Sequence, residues 1–242
     1  MLSFTPIGSG SSGNLYLVAD GASQLAIECG LSFREMRRRL GFGLSGLDAV
    51  LVSHIHGDHA KALVDVLGAG VPVLASGETL EAAGVARHHN ARALTAGVPE
   101  CIGDWRVLPF DLRHDAPGTL GFVVEGPSGE RLFYVTDTAF VPYRFERLNI
   151  ITIETNYSEA ILRKSGEPAK RKLRSLRYHM SLERALGFLA ANDLSGVREI
   201  WLLHLSDAHS DEQAFREAVL AATGKPVFVA PAARASRPEA SA

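Results

Sequence analysis

The sequence predicts an α/β protein, and three observations carry that prediction. Short apolar runs of strand length, such as Ala49-Val50-Leu51-Val52, alternate with segments whose apolar residues recur at helical spacing. Helical segments open on capping residues: Ser32 with Glu35 three positions on, and Ser181 ahead of Leu182. Several strand-like runs end in an acid or an imidazole, and strand ends on one sheet edge are where α/β proteins assemble their sites.

The elements follow in order. Gly8-Ser9-Gly10-Ser11-Ser12-Gly13-Asn14 separates two apolar stretches and reads as a hairpin turn. It is either a flexible turn or a backbone and hydroxyl cradle for an anion, with Ser11 and Ser12 as its hydroxyls. Gln24-Leu25-Ala26-Ile27-Glu28-Cys29 is the third strand. Ser32 then caps a helix whose Phe33, Met36 and Leu40 share a face, with Gly41 closing it. Residues 46–53 form a strand and 60–67 a helix; 71–75 and 77–84 repeat that pair. His88 and His89 fall in a polar stretch and read as surface residues. From Asp104 the pattern turns to strands at 105–110, 120–124, 131–136 and 149–154. Ser181 caps a helix with Leu182, Ala185, Leu186 and Leu189 on one face. A strand at 198–203 ends at His204. Ser210-Asp211-Glu212-Gln213 is a second capping box, with Ser210 first, that opens another helix, and Pro226-Val227-Phe228-Val229 is the last strand.

The chain has 242 residues, of which 46% are hydrophobic and 21% charged, enough for a sizeable core without covalent staples. Residues 1–230 read as one domain, because no linker or internal repeat divides them, and 231–242 read as a disordered tail. The net charge of −2 excludes a nucleic-acid binder announced by global charge, though not a local basic patch. Cys29 and Cys101 both lie in apolar strand-like surroundings and read as reduced, buried thiols. The N-terminus shows no basic region followed by an apolar stretch, and no apolar run approaches the roughly 18–20 residues that span a bilayer. The expected location is the cytoplasm, with no membrane partner; the oligomeric state is not set by the sequence.

Chemistry concentrates in Ser53-His54-Ile55-His56-Gly57-Asp58-His59-Ala60, a strand-to-helix loop with three histidines and an aspartate in six positions. Nitrogen and oxygen donors at that density suit a first-row divalent ion. His114, Asp137 and His204 lie near or beyond strand ends, which makes seven candidate ligands, enough for two metals with one shared carboxylate. Residues 163–177 hold seven of the chain's 25 Lys and Arg residues. They are either a solvated face or a phosphate-steering patch.

His54-x-His56-x-Asp58-His59, followed by His114, Asp137 and His204, resembles the metallo-β-lactamase superfamily in order and interval along nearly the whole chain. The resemblance implies a four-layer αββα sandwich: two mixed sheets face to face with helices outside. It implies two divalent metal ions, Zn²⁺ or Mn²⁺. His54, His56 and His114 would hold one, Asp58, His59 and His204 the other, and Asp137 would bridge. Metal ions about 3.5–4 Å apart hold a bridging hydroxide as nucleophile.

The Gly-Ser turn, His114-Asp115-Ala116, Val135-Thr136-Asp137, Tyr178-His179-Met180-Ser181 and Leu203-His204-Leu205-Ser206 are similar to the YycJ/WalJ branch, which is associated with DNA exonuclease activity. Glu154-Thr155-Asn156 stands where that branch has Asn-His-Asp. His179 also resembles the phosphate-contacting histidine of the β-CASP ribonucleases. The resemblance thus implies a phosphodiesterase or nuclease acting on nucleic acid or another phosphodiester. Asp58 and His179 are its catalytic candidates; Ser11, Ser12, Asn156, His179, Arg174 and Arg177 are its substrate contacts. The chain departs from the pattern at Glu28, where an aspartate that supports the metal loop is usual. The alternatives are a small-molecule hydrolase on the same scaffold (cyclic phosphodiesterase, lactonase or thioesterase) and a non-catalytic metal-binding protein. The complete ligand set weighs against the second.

Overall fold

The computed structural model of the protein describes residues 1–41 and 43–233. Three strands come first: β1 (Leu2–Gly8), β2 (Leu15–Asp20) and β3 (Ser23–Ile27). Helix α1 (Phe33–Arg39), strand β4 (Ala49–Leu51), helices α2 (Gly57–Ala60) and α3 (Leu63–Gly68), β5 (Val73–Ser76), α4 (Gly77–Ala82) and β6 (Ala91–Leu94) complete the first half. The second half begins with β7 (Glu100–Ile102), β8 (Trp105–Asp111), β9 (Leu120–Glu125), β10 (Arg131–Val135) and β11 (Ile150–Glu154). It ends with helices α5 (Glu159–Lys164), α6 (Ala169–Tyr178) and α7 (Leu182–Ala191), strand β12 (Glu199–Leu203), helix α8 (Glu212–Thr223) and strand β13 (Val227–Val229).

The strands form two mixed sheets, ordered β1-β2-β3-β4-β5-β6 and β13-β12-β11-β10-β9-β8-β7. In each, antiparallel hairpins on one side give way to parallel strands on the other. Every residue of β11 is buried, as its unbroken apolar run requires of a parallel strand covered on both faces. Inner faces meet in one core, where Phe4, Tyr16, Ile27 and Leu51 pack with Trp105, Phe122, Val124 and Tyr134. Outside the first sheet, Val50 and Val52 pack on Met36 of α1 and on Leu63 and Val66 of α3. Outside the second, Ile151, Ile153 and Ile200 pack on Phe188 of α7 and Phe215 of α8. This is the four-layer αββα sandwich that the resemblance implies.

The sandwich brings one class of position to one edge. Glu28 follows β3, His54 follows β4, Asp137 follows β10, Glu154 closes β11 and His204 follows β12. These strands are parallel neighbours within their sheets, β3 beside β4 and β10, β11 and β12 side by side, so their C-terminal ends line up.

Several expectations change. Cys101 is exposed rather than buried, because β7 is an edge strand and its side chain points outward; Cys29 is buried as expected. Residues 231–233 do not begin a disordered tail: Pro231 O accepts the Ser9 amide at 2.9 Å, Ala232 bridges to Ser9, and Ala233 is buried. The remainder of that predicted tail, 234–242, lies outside the described residues. The helix predicted over 60–67 divides into α2 and α3, and β6 appears where no strand is predicted. Asp211, not Ser210, caps α8, its carboxylate accepting the Ala214 amide at 3.0 Å. No helix among the described residues is long and apolar enough to cross a membrane.

Candidate metal centre

The seven predicted ligands converge. His54, His56, His114 and Asp137 form one group of donors within 4.8 Å of one another, and Asp58, His59, Asp137 and His204 form a second. Asp137 belongs to both. In the first group His56 Nδ1 lies 3.1 Å from His54 Nε2 and 3.2 Å from His114 Nε2, with Asp137 Oδ2 3.5 Å from His54 Nε2. In the second, His59 Nε2 lies 2.9 Å from Asp137 Oδ2 and 3.4 Å from Asp58 Oδ2, while His204 Nε2 lies 3.5 Å from that same Asp58 oxygen.

Several of these imidazoles are held by their other nitrogen or by their backbone. Ser53 Oγ lies 2.9 Å from His54 Nδ1, and Asp115 Oδ1 lies 3.5 Å from His56 Nε2. Glu28 Oε1 faces His59 Nδ1 at 3.2 Å while accepting the Tyr134 hydroxyl at 2.9 Å, and Glu28 Oε2 accepts the Ser53 amide at 3.2 Å. The residue that departs from the superfamily pattern therefore supports both the ring and the loop. Such partners orient a ligating histidine and set which nitrogen is free for a metal. Asn156 donates to the His204 carbonyl at 2.8 Å, which makes it a support for a ligand as well as part of the cleft.

Backbone strain marks the same residues. Among the described residues four non-glycines have positive φ, and three of them are Glu28 (65°), Asp137 (51°) and His204 (54°). Each costs about 1–3 kcal/mol and persists only where surrounding contacts over-determine it. Those contacts are present: the Glu28 amide donates to Leu51 O at 2.8 Å and the His204 amide to Ser9 Oγ at 2.9 Å. Close packing adds to them. A Cβ on Gly30 would stand 1.7 Å from the Asp58 carbonyl oxygen, so only glycine lets the loop after β3 pass under the metal loop.

Charge is arranged for cations. Burial and neighbouring imidazoles hold His54 well below the usual histidine range, and burial lowers His114. Both are therefore neutral, with lone pairs to offer. Burial also opposes charge on His59, His204 and His179, but facing carboxylates outweigh it. Glu28 and Asp137 raise His59, Asp137 pushes His204 up to about 9, and Glu154 pushes His179 up to about 10. Conversely, burial would raise Asp58, but the His204 and His59 rings beside it hold it far below the carboxylate range. Asp137 Oδ1 and His204 Nε2 are buried without a hydrogen-bond partner, a costly state for polar atoms unless a cation takes them. The donor set of imidazole and carboxylate, without thiolate, fits first-row divalent ions.

A third group, Asp137, Glu154, His179 and His204, adjoins the second. His179 Nδ1 lies 2.7 Å from Glu154 Oε1 and 3.4 Å from Asp137 Oδ1, and the ring stacks on His204 with centroids 5.6 Å apart. Glu154 Oε2 accepts the Thr138 and Met180 amides at 3.0 and 3.2 Å. Glu154 and Asp115 are site residues that the sequence did not single out. Glu154 ends a buried strand as an acid, the signal that marks Asp137, and that signal was available.

The cluster floors a cleft of about 810 Å³. Ser11 and Ser12 line it, as do Asn156, Arg174 and His179. Arg171 joins Arg174 on the wall that α6 supplies, and Arg174 Nη2 pairs with Asp115 Oδ2 at 3.2 Å. Arg177 is not brought into the cleft; its guanidinium lies over the Tyr178 ring, 5.6 Å from the centroid. Lys172 is tied back to the Ser165 carbonyl at 2.7 Å, so only part of the basic run faces the site. His88 and His89 stack on each other at 4.5 Å and lie outside the cluster, as expected.

Comparison with known proteins agrees with this fold. The family model described as the β-lactamase superfamily domain matches residues 24–205. Exodeoxyribonuclease YycJ of Bacillus anthracis is 27% identical over 219 residues, covering 85% of this chain and 83% of that protein. Exodeoxyribonuclease WalJ of Streptococcus pneumoniae is 28% identical over 223 residues, covering 84% and 81%. Among solved structures, the metallo-β-lactamase fold protein YhfI of Bacillus subtilis superposes with a TM-score of 0.73 over 96% of this chain and 97% of its own, at 16% identity.

Proposed function

The chain belongs to the metallo-β-lactamase superfamily, and from that premise we propose that it is a metal-dependent phosphodiesterase whose substrate is DNA. The observation that carries the proposal is the convergence of the two ligand groups on Asp137 at the floor of a cleft with arginines on its wall. The names of the YycJ and WalJ relatives supply the substrate class.

His54, His56 and His114 would hold one ion and Asp58, His59 and His204 the other, with Asp137 shared. Two divalent ions held there, zinc or manganese, would supply Lewis acidity to phosphoryl oxygens and would lower the pKa of water. The chain's own residues do the rest. Arg171 and Arg174 attract the polyanion and neutralise phosphate charge as it enters. The Ser11 and Ser12 hydroxyls border the same cleft and offer hydrogen bonds to phosphate oxygens. His179 is held protonated by Glu154, and its ring borders the cleft with Nδ1 committed to that carboxylate. It contacts the scissile phosphate or protonates the leaving oxygen through Nε2.

A digestion panel tests this: labelled single- and double-stranded DNA, RNA and a chromogenic phosphodiester, each with Mn²⁺ or Zn²⁺. DNA cleavage that disappears in Asp58→Ala is the expected result. Hydrolysis confined to the chromogenic ester would replace DNA with a small phosphodiester, and no hydrolysis of any substrate would sink the reading. His179→Ala should lose turnover while retaining its metal content.

A further inference from the structure

Beside the cleft lie rings and cations that the hydrolytic machinery leaves unused. Phe140 is 43% exposed, three residues beyond Asp137, with the Arg113 guanidinium 5.9 Å from its centroid. Arg113 itself precedes His114. At the end of α6, Tyr178 precedes His179, carries Arg177 over its face at 5.6 Å, and sets its ring edge-on to His114 at 5.7 Å. Both cation–ring pairs thus sit directly next to site residues.

The backbone holds them in place. Thr138 Oγ1 donates to the Arg113 and Phe140 carbonyls at 3.3 and 3.2 Å. Arg184 Nη1 donates to Ala139 O at 3.1 Å and to Leu176 O at 3.2 Å, which ties the Phe140 loop to the end of α6. A large exposed ring costs solubility and is not needed for this anchoring, which runs from hydroxyl and guanidinium donors to backbone carbonyls and uses no ring atom. Its neighbours are cationic, which disfavours an apolar protein partner and suits an anionic chain with π faces. Single-stranded nucleic acid has both: every base offers a face to stack, and every link a phosphate for a guanidinium.

We propose that Arg113, Phe140, Arg177 and Tyr178 form a stacking ledge at the mouth of the cleft that receives the unpaired bases of a single strand. The proposal rests on the nuclease reading and narrows it to a strand entering the site unpaired. Duplex bases are stacked on each other and cannot occupy the ledge until the end frays. Phe140 and Tyr178 supply the faces; Arg113 and Arg177 neutralise the flanking phosphates.

Fluorescence anisotropy on the full chain, with chelator present to prevent cleavage, tests the ledge. The probes are a labelled oligothymidylate, its abasic counterpart of equal length, and a blunt duplex. Wild type should bind the oligothymidylate more tightly than either of the others. Phe140→Leu should weaken oligothymidylate binding about 5- to 100-fold and leave abasic binding unchanged. Phe140→Trp, which keeps a ring, should preserve the discrimination, so a folding defect in the leucine variant does not decide the matter. Equal affinity of wild type for the oligothymidylate and the abasic strand, or an unchanged Phe140→Leu variant, would overturn the ledge. Hydrolysis of the chromogenic phosphodiester is measured in parallel. Loss of base discrimination with that hydrolysis intact removes the ledge alone, whereas absence of both hydrolysis and oligonucleotide binding removes the nuclease reading with it.

Discussion

His54, His59, Glu28 and Glu154 at the floor of the cleft are wholly buried, whereas α6, which forms one of its walls, buries none of its ten residues. The floor is built from strand ends, strained backbone and paired carboxylates and imidazoles. The wall is a solvated helix with Leu173 and Leu176 61% and 40% exposed, attached near the site through Arg174–Asp115 and the Leu176 carbonyl. Preorganised groups in a dry site act strongly and tolerate no displacement, while charges on a solvated wall act through long-range attraction that salt screens. The two regions should therefore fail differently when altered.

The largest effect should come from Asp137→Ala. Removing one preorganised electrostatic contact commonly costs about 10²–10³-fold in rate, and Asp137 serves all three donor groups, so the loss should be at least that large. Metal analysis should show ions lost with the activity; a variant with full metal content and normal rate would break the contrast between floor and wall. Gly30→Ala comes next. Its Cβ would displace the Asp58 carbonyl, and disturbing a ligand's support costs about 10–100-fold in metal affinity. Metal titration and a lowered melting temperature check this.

Glu154→Gln sharpens the floor itself. The Glu154 carboxylate is the largest influence holding His179 protonated up to about pH 10, so without it His179 deprotonates at lower pH. The alkaline limb of a pH–rate profile should move to lower pH, which a merely structural carboxylate would not do. Stability carries the same sign. His179 is raised from 6.5 to about 10, so its contribution is complete below 6.5 and is lost as pH rises through about 10. Glu154 is lowered from 4.5, so its contribution is present above 4.5 and fades as pH falls below it. In metal-stripped protein the melting-temperature gap between wild type and Glu154→Gln should be widest between those ordinary values of 4.5 and 6.5.

The smallest effect belongs to the wall. Arg174→Ala should weaken DNA binding at low salt and reduce the slope of log affinity against log salt by about one. It should leave hydrolysis of a small phosphodiester unchanged within about twofold, since an exposed pair contributes little to the fold. A loss of small-substrate hydrolysis equal to the loss on DNA would place Arg174 with the floor.

The clustered imidazoles and carboxylates were legible because metal chemistry admits few residue types, and several of them lie at strand ends that periodicity locates. Asp58 and His59 stand out beside His54 and His56 for the same reason. Glu154 was harder to see: an acid closing an apolar run resembles a surface residue until the parallel partner β12 brings His204 beside it. Cys101 misled because an apolar neighbourhood in sequence does not distinguish an inner strand from an edge strand. Within the basic run, spacing could not separate Arg171 and Arg174, which line the cleft, from Arg177, which turns onto Tyr178.

By itself the sequence determined the alternation of strands and helices, the loop that carries three histidines and an aspartate, and the membership of Asp137 and His204 in the site. These follow from local periodicity and from the donor atoms that a divalent ion accepts. Tertiary structure alone decided that Glu28 can stand where a shorter acid is usual, that Glu154 pairs with His179, and that residues 231–233 brace Ser9 against His204. Those contacts join positions as distant in sequence as Ser9 and Pro231, and only the packing of two sheets face to face sets the ångströms between them.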